Sequence, residues 1–184
     1  MPIGKPGTAQ PERSSALNGG QNSSMPKQLP ILEFSRSDHF KMVRAITEVF
    51  GPRFVPDSVV AYADETDDTP ARFNAALLAE LGVDVSTQDK MPDVVLHSPE
   101  RNWLLLVESV TNHGLVNRKR RAELAKTFAG STATLIFVTA FPSRVVMAEF
   151  PGKIAWETVV WAAAEPAHLI HYNGSRLFGP YSKP

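Results

Sequence analysis

One stretch of the sequence restricts the possible folds more than any other. Residues 132–140 (TATLIFVTA) form a continuous apolar run of branched and aromatic side chains. These residue types favour a β-strand, and a strand that is apolar throughout is typical of a sheet covered on both faces. Helical and strand patterns also alternate along the chain. The sequence therefore predicts an α/β fold in which helices flank a central sheet.

The order of the patterns predicts the arrangement of the elements. They run helix, strand, helix, strand, strand, helix, strand, helix, strand, which implies a mixed sheet. The first of four predicted helices is capped by Ser37 and stopped by Gly51-Pro52. The second opens at Thr69-Pro70, carries Phe73 on its apolar face and ends at Gly82. The third covers 117–128, and the fourth is a short helix near 144–150. The predicted strands are 58–63, 93–96, 103–110, 132–140 and 157–163.

The first thirty residues differ in composition from the rest of the chain. They contain five of the 15 prolines, four of the 11 glycines and no aromatic residue. Such a segment cannot bury enough apolar surface to offset the entropy lost on ordering. We therefore predict that residues 1–30 are disordered and that 31–184 form one domain, which suits a chain of 184 residues.

Composition excludes several classes of protein. The chain has no cysteine, which excludes a disulfide scaffold, a thiolate zinc site and a cysteine nucleophile. Nineteen basic side chains balance 19 acidic ones, so the global basic field of many nucleic-acid-binding proteins is absent. The N-terminus lacks the apolar stretch of a signal peptide, and no apolar run approaches the roughly 20 residues that span a bilayer. We expect a cytoplasmic protein with no membrane partner.

A carboxylate inside an apolar strand is the most informative chemical feature. Glu108 follows the apolar residues 104–107, and burying its charge is costly unless it meets a cation or a metal. Asp93 opens the preceding strand. In a hairpin whose paired residue numbers sum to 201, Asp93 lies opposite Glu108. A sum of 199 makes the two residues diagonal neighbours, whereas a sum of 200 places them on opposite faces. Two of these three registers build a two-carboxylate site that suits Mg²⁺.

Simpler interpretations of the acidic residues stay open from the pattern alone. Asp93 could cap or start a strand, and Glu108 could pair with an arginine. The acidic run 64–68 follows the first predicted strand and is typical of a solvated loop. Asp64, at the end of that strand, could instead join the carboxylate cluster.

Four consecutive cations, residues 118–121 (RKRR), open a predicted helix. Cations at a helix N-terminus oppose the helix dipole, so a negative partner nearby is expected. At 100° per residue, Arg121 lies on the apolar stripe and would point inward, toward Glu108, whereas Lys119 points away. The other two arginines flank the stripe and could reach a phosphate backbone. The alternative is a solvated basic face with one buried ion pair.

Six sequence blocks together are far more specific than any of these features alone. They are KMPDVVL (90–96), VESVTNHG (107–114), FVTAFP (137–142), IAWET (154–158), HLIHYNG (168–174) and GPY (179–181). Over about residues 59–181 the chain resembles the catalytic domain of BsuBI/PstI-type type II restriction endonucleases, in the family's order. That family belongs to the PD-(D/E)XK nucleases.

The resemblance implies an αβββαβ core and Mg²⁺-dependent, site-specific hydrolysis of double-stranded DNA in a restriction–modification system. It implies that Asp93 and Glu108 ligate the metal, with Asp64 as a further candidate ligand. The family's lysine two residues after the second acid is replaced here by Val110. We expect Lys90 to take over its catalytic task, with Arg121 or Lys119 as second choice. The expected DNA-binding residues are Arg118, Lys119, Arg120, Arg121, Thr111 and His113.

The same resemblance bears on assembly and on an alternative function. Palindromic duplex sites call for two symmetric active sites, so a homodimer is expected. Family members usually carry a long N-terminal DNA-recognition domain, where this chain has about 30 disordered-looking residues and a helix. We therefore expect a nuclease domain whose own target sequence cannot be inferred. The alternative, supported by Val110, is a catalytically impaired DNA-binding or interaction module derived from this family.

Overall fold

A seven-stranded mixed sheet forms the centre of the protein in the computed structural model, which describes residues 36–64, 72–84, 91–111 and 115–173. The strands are β1 (Val59–Ala63), β2 (Arg72–Phe73), β3 (Val94–Ser98), β4 (Trp103–Ser109), β5 (Thr134–Phe141), β6 (Thr158–Ala162) and β7 (Leu169–Tyr172). Their order across the sheet is β2-β1-β3-β4-β5-β6-β7. The pairs β4–β5 and β5–β6 are parallel and the others are antiparallel. The predicted mixed sheet is confirmed.

Helices connect and flank these strands. They are α1 (Arg36–Ala45), α2 (Gly51–Phe54), α3 (Ala75–Glu80), α4 (Arg118–Thr127) and α5 (Arg144–Met147), with a π-helical turn at Ile46–Phe50 and a 3₁₀ turn at Pro151–Lys153. Side chains cap three of the N-termini, because Asn74, Asn117 and Ser143 each accept a hydrogen bond from a backbone N–H of the first turn. None of these helices is long and apolar enough to cross a membrane.

Apolar clusters cover the sheet on two sides. Val43 and Phe50 of the α1–α2 stretch pack with Val94 of β3 and Val138 of β5. The residue next to each of these two strand positions, on the opposite face of the strand, lies in another cluster. Val95 and Phe137 pack with side chains of α3 and α4, including Leu78, Leu124 and Phe128. Because side chains alternate along a strand, the apolar run of β5 serves both faces, as its sequence predicts.

Two predicted helix boundaries differ from the structure. Gly51-Pro52 does not stop the first helix, which continues through the π-helical turn into α2. Pro52 lacks the N–H that would continue an α-helical ladder, and a π-helical turn directly precedes α2. Phe73 lies on β2 rather than on a helix, and Asn74 caps α3 immediately afterwards. Thr69-Pro70 lies outside the described residues.

The predicted end of α3 at Gly82 is confirmed by its backbone. Gly82 has a positive φ of 77°, which favours glycine, and its N–H bonds to the carbonyl oxygen of Ala79. The predictions for residues 1–30, and for a domain beginning at residue 31, concern a part of the chain that is not described. They stay predictions.

Candidate active site

The β3–β4 hairpin places the backbones of Asp93 and Glu108 at adjoining positions, but Asp93 shares its group of possible metal ligands with His39 and Asp64 and not with Glu108. Val94 pairs with Val107, and this register continues to Ser98 opposite Trp103, so paired residue numbers sum to 201 (94 + 107). One further step along the hairpin places Asp93 beside Glu108. The hairpin thus has one of the two registers that build a two-carboxylate site.

Asp93 is fixed by the ends of two strands. Its carbonyl oxygen accepts a hydrogen bond from the N–H of Asp64 at 2.8 Å, at the end of β1. Ser109, at the end of β4, donates both its backbone N–H and its hydroxyl to Oδ2 of Asp93, each at 2.6 Å. Hydrogen bonds this short to a carboxylate are typical of charge-assisted bonds. They orient Asp93 and engage only one of its two oxygens.

Glu108 is almost fully buried and is paired with Arg120. Nε and Nη2 of Arg120 each lie 2.7 Å from Oε1 of Glu108. Nη2 also donates to the carbonyl oxygen of Met91 at 2.9 Å, which ties helix α4 to the start of the hairpin. Burial, and secondarily the charge of Asp93, raises the pKa of Glu108 to about 7. The positive charge of Arg120 therefore compensates the buried carboxylate only in part.

The arginine that contacts Glu108 is Arg120, so the predicted orientation of Arg121 toward Glu108 is wrong. Arg121 does turn inward, but its guanidinium lies 4.9 Å from the ring centre of Phe137 and donates to Glu157 at 2.8 Å. The stripe on which Arg121 lies leads onto the apolar cluster beneath α4. Arg120, at the edge of that stripe, has a side chain long enough to reach Glu108 on the hairpin.

His39 on α1 belongs to this site, although its sequence pattern was not identified as functional. Its side chain is buried, and Nδ1 lies 3.2 Å from Oγ of Ser109 and 3.2 Å from Oγ1 of Thr111. Nε2 lies 3.8 Å from Oδ2 of Asp64. One ligand atom each from His39, Asp64 and Asp93 lie within 4.8 Å of one another. The available signal was a polar residue on the apolar stripe of α1, four positions before Val43.

The remaining predicted site residues are distributed over several environments. Thr111 is buried against His39. Lys119 is exposed, and its Nζ lies 3.8 Å from Oε1 of Glu123. Arg118 is exposed at the start of α4. Lys90 and His113 lie outside the described residues, so their predicted roles stay predictions.

A groove beside the N-terminus of α4 offers a basic and aromatic surface. It has a volume of about 530 Å³, and its lining includes Arg118, Arg121 and Lys153. Trp156, which also lines it, is 68% exposed. Cations next to an exposed aromatic ring are a common feature of nucleic-acid-binding surfaces.

Relatives of known type share this sequence and fold. The chain is 51% identical over 144 residues to the type II restriction enzyme BsuBI of Bacillus subtilis, an alignment that covers 78% of this chain and 46% of the relative. It is 31% identical over 143 residues to the type II restriction enzyme AplI of Arthrospira platensis, with 73% and 44% covered. The chain therefore spans less than half the length of these relatives.

A solved structure and a family model agree with these relatives. The structure of the SdaI restriction endonuclease matches with a TM-score of 0.73 at 38% identity, covering 81% of this chain and 47% of that one. This similarity confirms the predicted restriction-endonuclease-like fold. Residues 24–175 match the model of the BsuBI/PstI restriction endonuclease domain. The resemblance found in the sequence is thereby confirmed, and the chain belongs to the BsuBI/PstI restriction endonuclease family.

Proposed function

We propose that this chain is the catalytic domain of a type II restriction endonuclease that hydrolyses DNA phosphodiester bonds with Mg²⁺. The observation that carries the proposal is the register of the β3–β4 hairpin in a chain of this family, because the pairing of Val94 with Val107 supports Asp93 and Glu108 as neighbours at the next step. The relatives are named type II restriction enzymes, and the chain matches less than half of each of them.

The side chains of the site suit a divalent cation. Asp64, Asp93 and Glu108 offer carboxylate oxygens, which are the ligands that Mg²⁺ prefers. Burial, more than any neighbouring charge, raises the pKa of Glu108 to about 7, and Arg120 offsets this shift only in part. A bound dication would favour the charged carboxylate, polarise the scissile phosphate and acidify a water molecule.

The protein's own cations would divide the remaining tasks. Val110 packs in an apolar cluster with Leu115 and Phe141, so the position at which the family resemblance implies a lysine contributes no charge here. We propose Lys90 as the catalytic cation, since it precedes Asp93 by three residues. Arg120 acts as a positioning residue, because it holds Glu108 and the carbonyl of Met91 at once.

Double-stranded DNA is the proposed partner. We propose that its backbone contacts the exposed residues Arg118 and Lys119 and the groove beside α4. Two copies of the chain would act on a palindromic site, which requires a homodimer with two active sites. An enzyme with this substrate acts where DNA is present, which is consistent with the cytoplasmic location expected from the sequence.

A plasmid assay tests the proposal. The chain is incubated with supercoiled DNA and Mg²⁺, and the nicked and linear products are quantified. We expect cleavage by the wild type, loss of cleavage in Asp93→Asn and Glu108→Gln, and unchanged cleavage in the control Glu165→Gln, which alters an exposed carboxylate paired with Arg144. DNA binding without cleavage by a folded wild type would contradict the proposal and favour the catalytically impaired module.

A further inference from the structure

His39 has an unpaired ring nitrogen beside the carboxylate of Asp64. The residue is 8% exposed, and its Nε2 has no hydrogen-bond partner in the described parts of the chain. Nε2 lies 3.8 Å from Oδ2 of Asp64, which is too long for a hydrogen bond. Buried polar atoms are nearly always paired, so an unpaired nitrogen beside a carboxylate requires an explanation.

The contacts of Nδ1 favour a proton on that ring nitrogen. The Ser109 hydroxyl has one proton, and its Oγ lies 2.6 Å from Oδ2 of Asp93, so the proton points to that carboxylate oxygen. Oγ is then an acceptor for Nδ1 of His39 at 3.2 Å, and Oγ1 of Thr111, also 3.2 Å from Nδ1, can accept from the same N–H. A neutral imidazole protonated on Nδ1 has its lone pair on Nε2. Ser109 is thus a positioning residue for His39.

We infer that His39 is a nitrogen ligand of the divalent metal, with Asp64 and Asp93 as oxygen ligands, and that His39 makes the site bind a first-row transition metal such as Mn²⁺ more tightly than Mg²⁺, the ion proposed for cleavage. The inference rests on the proposed function and leaves the role of Glu108 as stated there. Metal–ligand bonds of about 2.1 Å allow two ligand atoms to be at most about 4.2 Å apart. The three ligand atoms lie within 4.8 Å, so shifts of a few tenths of an ångström would complete the site.

The chemistry of the ligands determines the preference. Mg²⁺ takes oxygen ligands almost exclusively, whereas imidazole nitrogen binds divalent ions such as Mn²⁺, Fe²⁺ or Co²⁺ increasingly well along the first row. Second contacts that fix the tautomer of a ligating histidine typically change metal affinity by about 10–100-fold. The Asp93–Ser109–His39 chain of hydrogen bonds is a contact of this kind.

Mn²⁺ is the probe for the test, because its electron paramagnetic resonance reports both affinity and bound nitrogen. Titration of the free Mn²⁺ signal gives the dissociation constant, and electron spin echo modulation detects a coordinated imidazole. We expect imidazole modulation in the wild type and its loss in His39→Gln, with about tenfold or more weaker Mn²⁺ binding. Mg²⁺ affinity, measured by competition, should change less than about threefold, because Mg²⁺ gains little from nitrogen.

Two further histidine variants and one serine variant sharpen the experiment. His97→Gln alters a histidine as buried as His39, four residues beyond Asp93 along the hairpin, and should leave modulation and affinity unchanged. His113→Gln should retain the modulation, which excludes that residue as its source. Ser109→Ala keeps the ring and should weaken Mn²⁺ binding while modulation persists. This variant tests the positioning of the ring even if His39→Gln does not fold.

The outcomes separate the inference from the proposed function. If wild-type Mn²⁺ binding depends on Asp93 but shows no imidazole modulation, or if the modulation persists in His39→Gln, the role of His39 is refuted and the nuclease proposal stands. If Asp93→Asn leaves Mn²⁺ binding unchanged, the metal site itself is refuted. Modulation that disappears with His39 alone supports both.

Discussion

The charge of Glu108 is costly to bury, and its side chain is held in place by Arg120. Its carboxylate is buried in the sheet, and Arg120 binds it from α4 while also holding the carbonyl of Met91. Removing one partner of a buried ion pair is destabilising, because the other charge stays buried without compensation. Arg120 is partly exposed, which reduces the cost below that of a fully buried pair.

We expect Arg120→Ala to lower the free energy of unfolding by about 2–3 kcal/mol, since it leaves Glu108 unpaired. Urea denaturation of the metal-free protein measures the change. Lys119→Ala is the matched control on the same turn of α4, and its exposed pair with Glu123 should contribute less than about 0.5 kcal/mol. Equal effects of the two variants would show that the buried pair is not what stabilises this region.

The sequence predicts the positions of the acidic residues better than it predicts which side chains contact them. The pairing of Asp93 with Glu108 follows from the two-residue period of strands and a choice among three registers. The choice between Arg120 and Arg121 depends on where long side chains end, which a helical wheel does not describe. His39 could not be assigned, because its place beside Asp93 depends on how α1 packs across the sheet.

Glycine backbones of two elements approach each other at the ends of α3 and α4. A Cβ added at Gly82 would collide with the carbonyl oxygen of Gly130, and Gly82 also has a positive φ of 77°. The N–H of Thr132 bonds to the carbonyl of Leu81 at 2.9 Å beside this contact. A side chain at Gly82 would therefore be strained and would also separate the two segments.

We expect Gly82→Ala to destabilise the fold by about 2–3 kcal/mol, the sum of backbone strain and steric overlap. Gly152→Ala is the control, because nothing lies within 4 Å of the added carbon there. Its effect should stay within about 0.5 kcal/mol. Thermal and urea unfolding compare the two, and a mild effect at Gly82 would mean that the segments can separate at little cost.

The hairpin turn between β3 and β4 is anchored by Asp57, whose carboxylate accepts hydrogen bonds from Ser98 Oγ at 2.7 Å and from the N–H of Glu100 at 3.0 Å. The bond from Ser98 lowers the pKa of Asp57, and burial opposes this shift. Because the folded-state pKa lies below the unfolded one, the stabilisation is present above about pH 4 and is lost as the pH falls through the folded value.

Asp57→Asn should therefore be less stable than the wild type at pH 7, and the difference should shrink as the pH falls below about 4. Urea unfolding between neutral and acidic pH measures this difference. Ser98→Ala removes the hydrogen-bond donor, so the free energy of unfolding of this variant should depend less on pH than that of the wild type. A difference that is constant with pH would show that the carboxylate charge has no part in anchoring the turn.

Element types were predictable from local patterns, whereas some boundaries depended on contacts between elements. The apolar strands and the cap at Asn117 follow from side-chain type and spacing. Gly51-Pro52 signals a stop in the sequence, but the packing of Phe50 and Val55 in the core extends the helical stretch through it. Phe73 was assigned to a helix, yet it pairs with Tyr62 of β1 as a strand residue.

The charge of the whole molecule is zero, with 19 cations and 19 anions, and its cations are concentrated locally. Three cations of α4 and the 3₁₀ turn line the groove beside Trp156, while acids gather at the hairpin. A domain of this kind has no overall field to attract DNA, so non-specific binding depends on a few local phosphate contacts.

We expect weak non-specific DNA binding. The slope of the logarithm of the binding constant against the logarithm of the salt concentration should fall in magnitude by about 0.9 for each phosphate contact removed. Arg118→Ala and Lys119→Ala should each cause a decrease of that size, measured by fluorescence anisotropy of a labelled duplex at several salt concentrations. Lys41→Ala, which removes an exposed cation from α1 instead, is the control. Slopes that are equal in all variants would locate the DNA elsewhere.

The number of residues in the π-helical turn at Ile46–Phe50 determines the orientation of His39, the proposed nitrogen ligand on α1. Phe50 is anchored in the core, and an α-helix turns by about 100° with each residue. Deleting one residue of this turn would shorten the helical stretch between His39 and the anchored Phe50 by one residue. The upstream helix would then rotate by about 100°, and His39 would turn away from Asp64 and Asp93. Deleting one residue from the π-helical turn would therefore change which ion the proposed metal site selects without replacing any of its ligands.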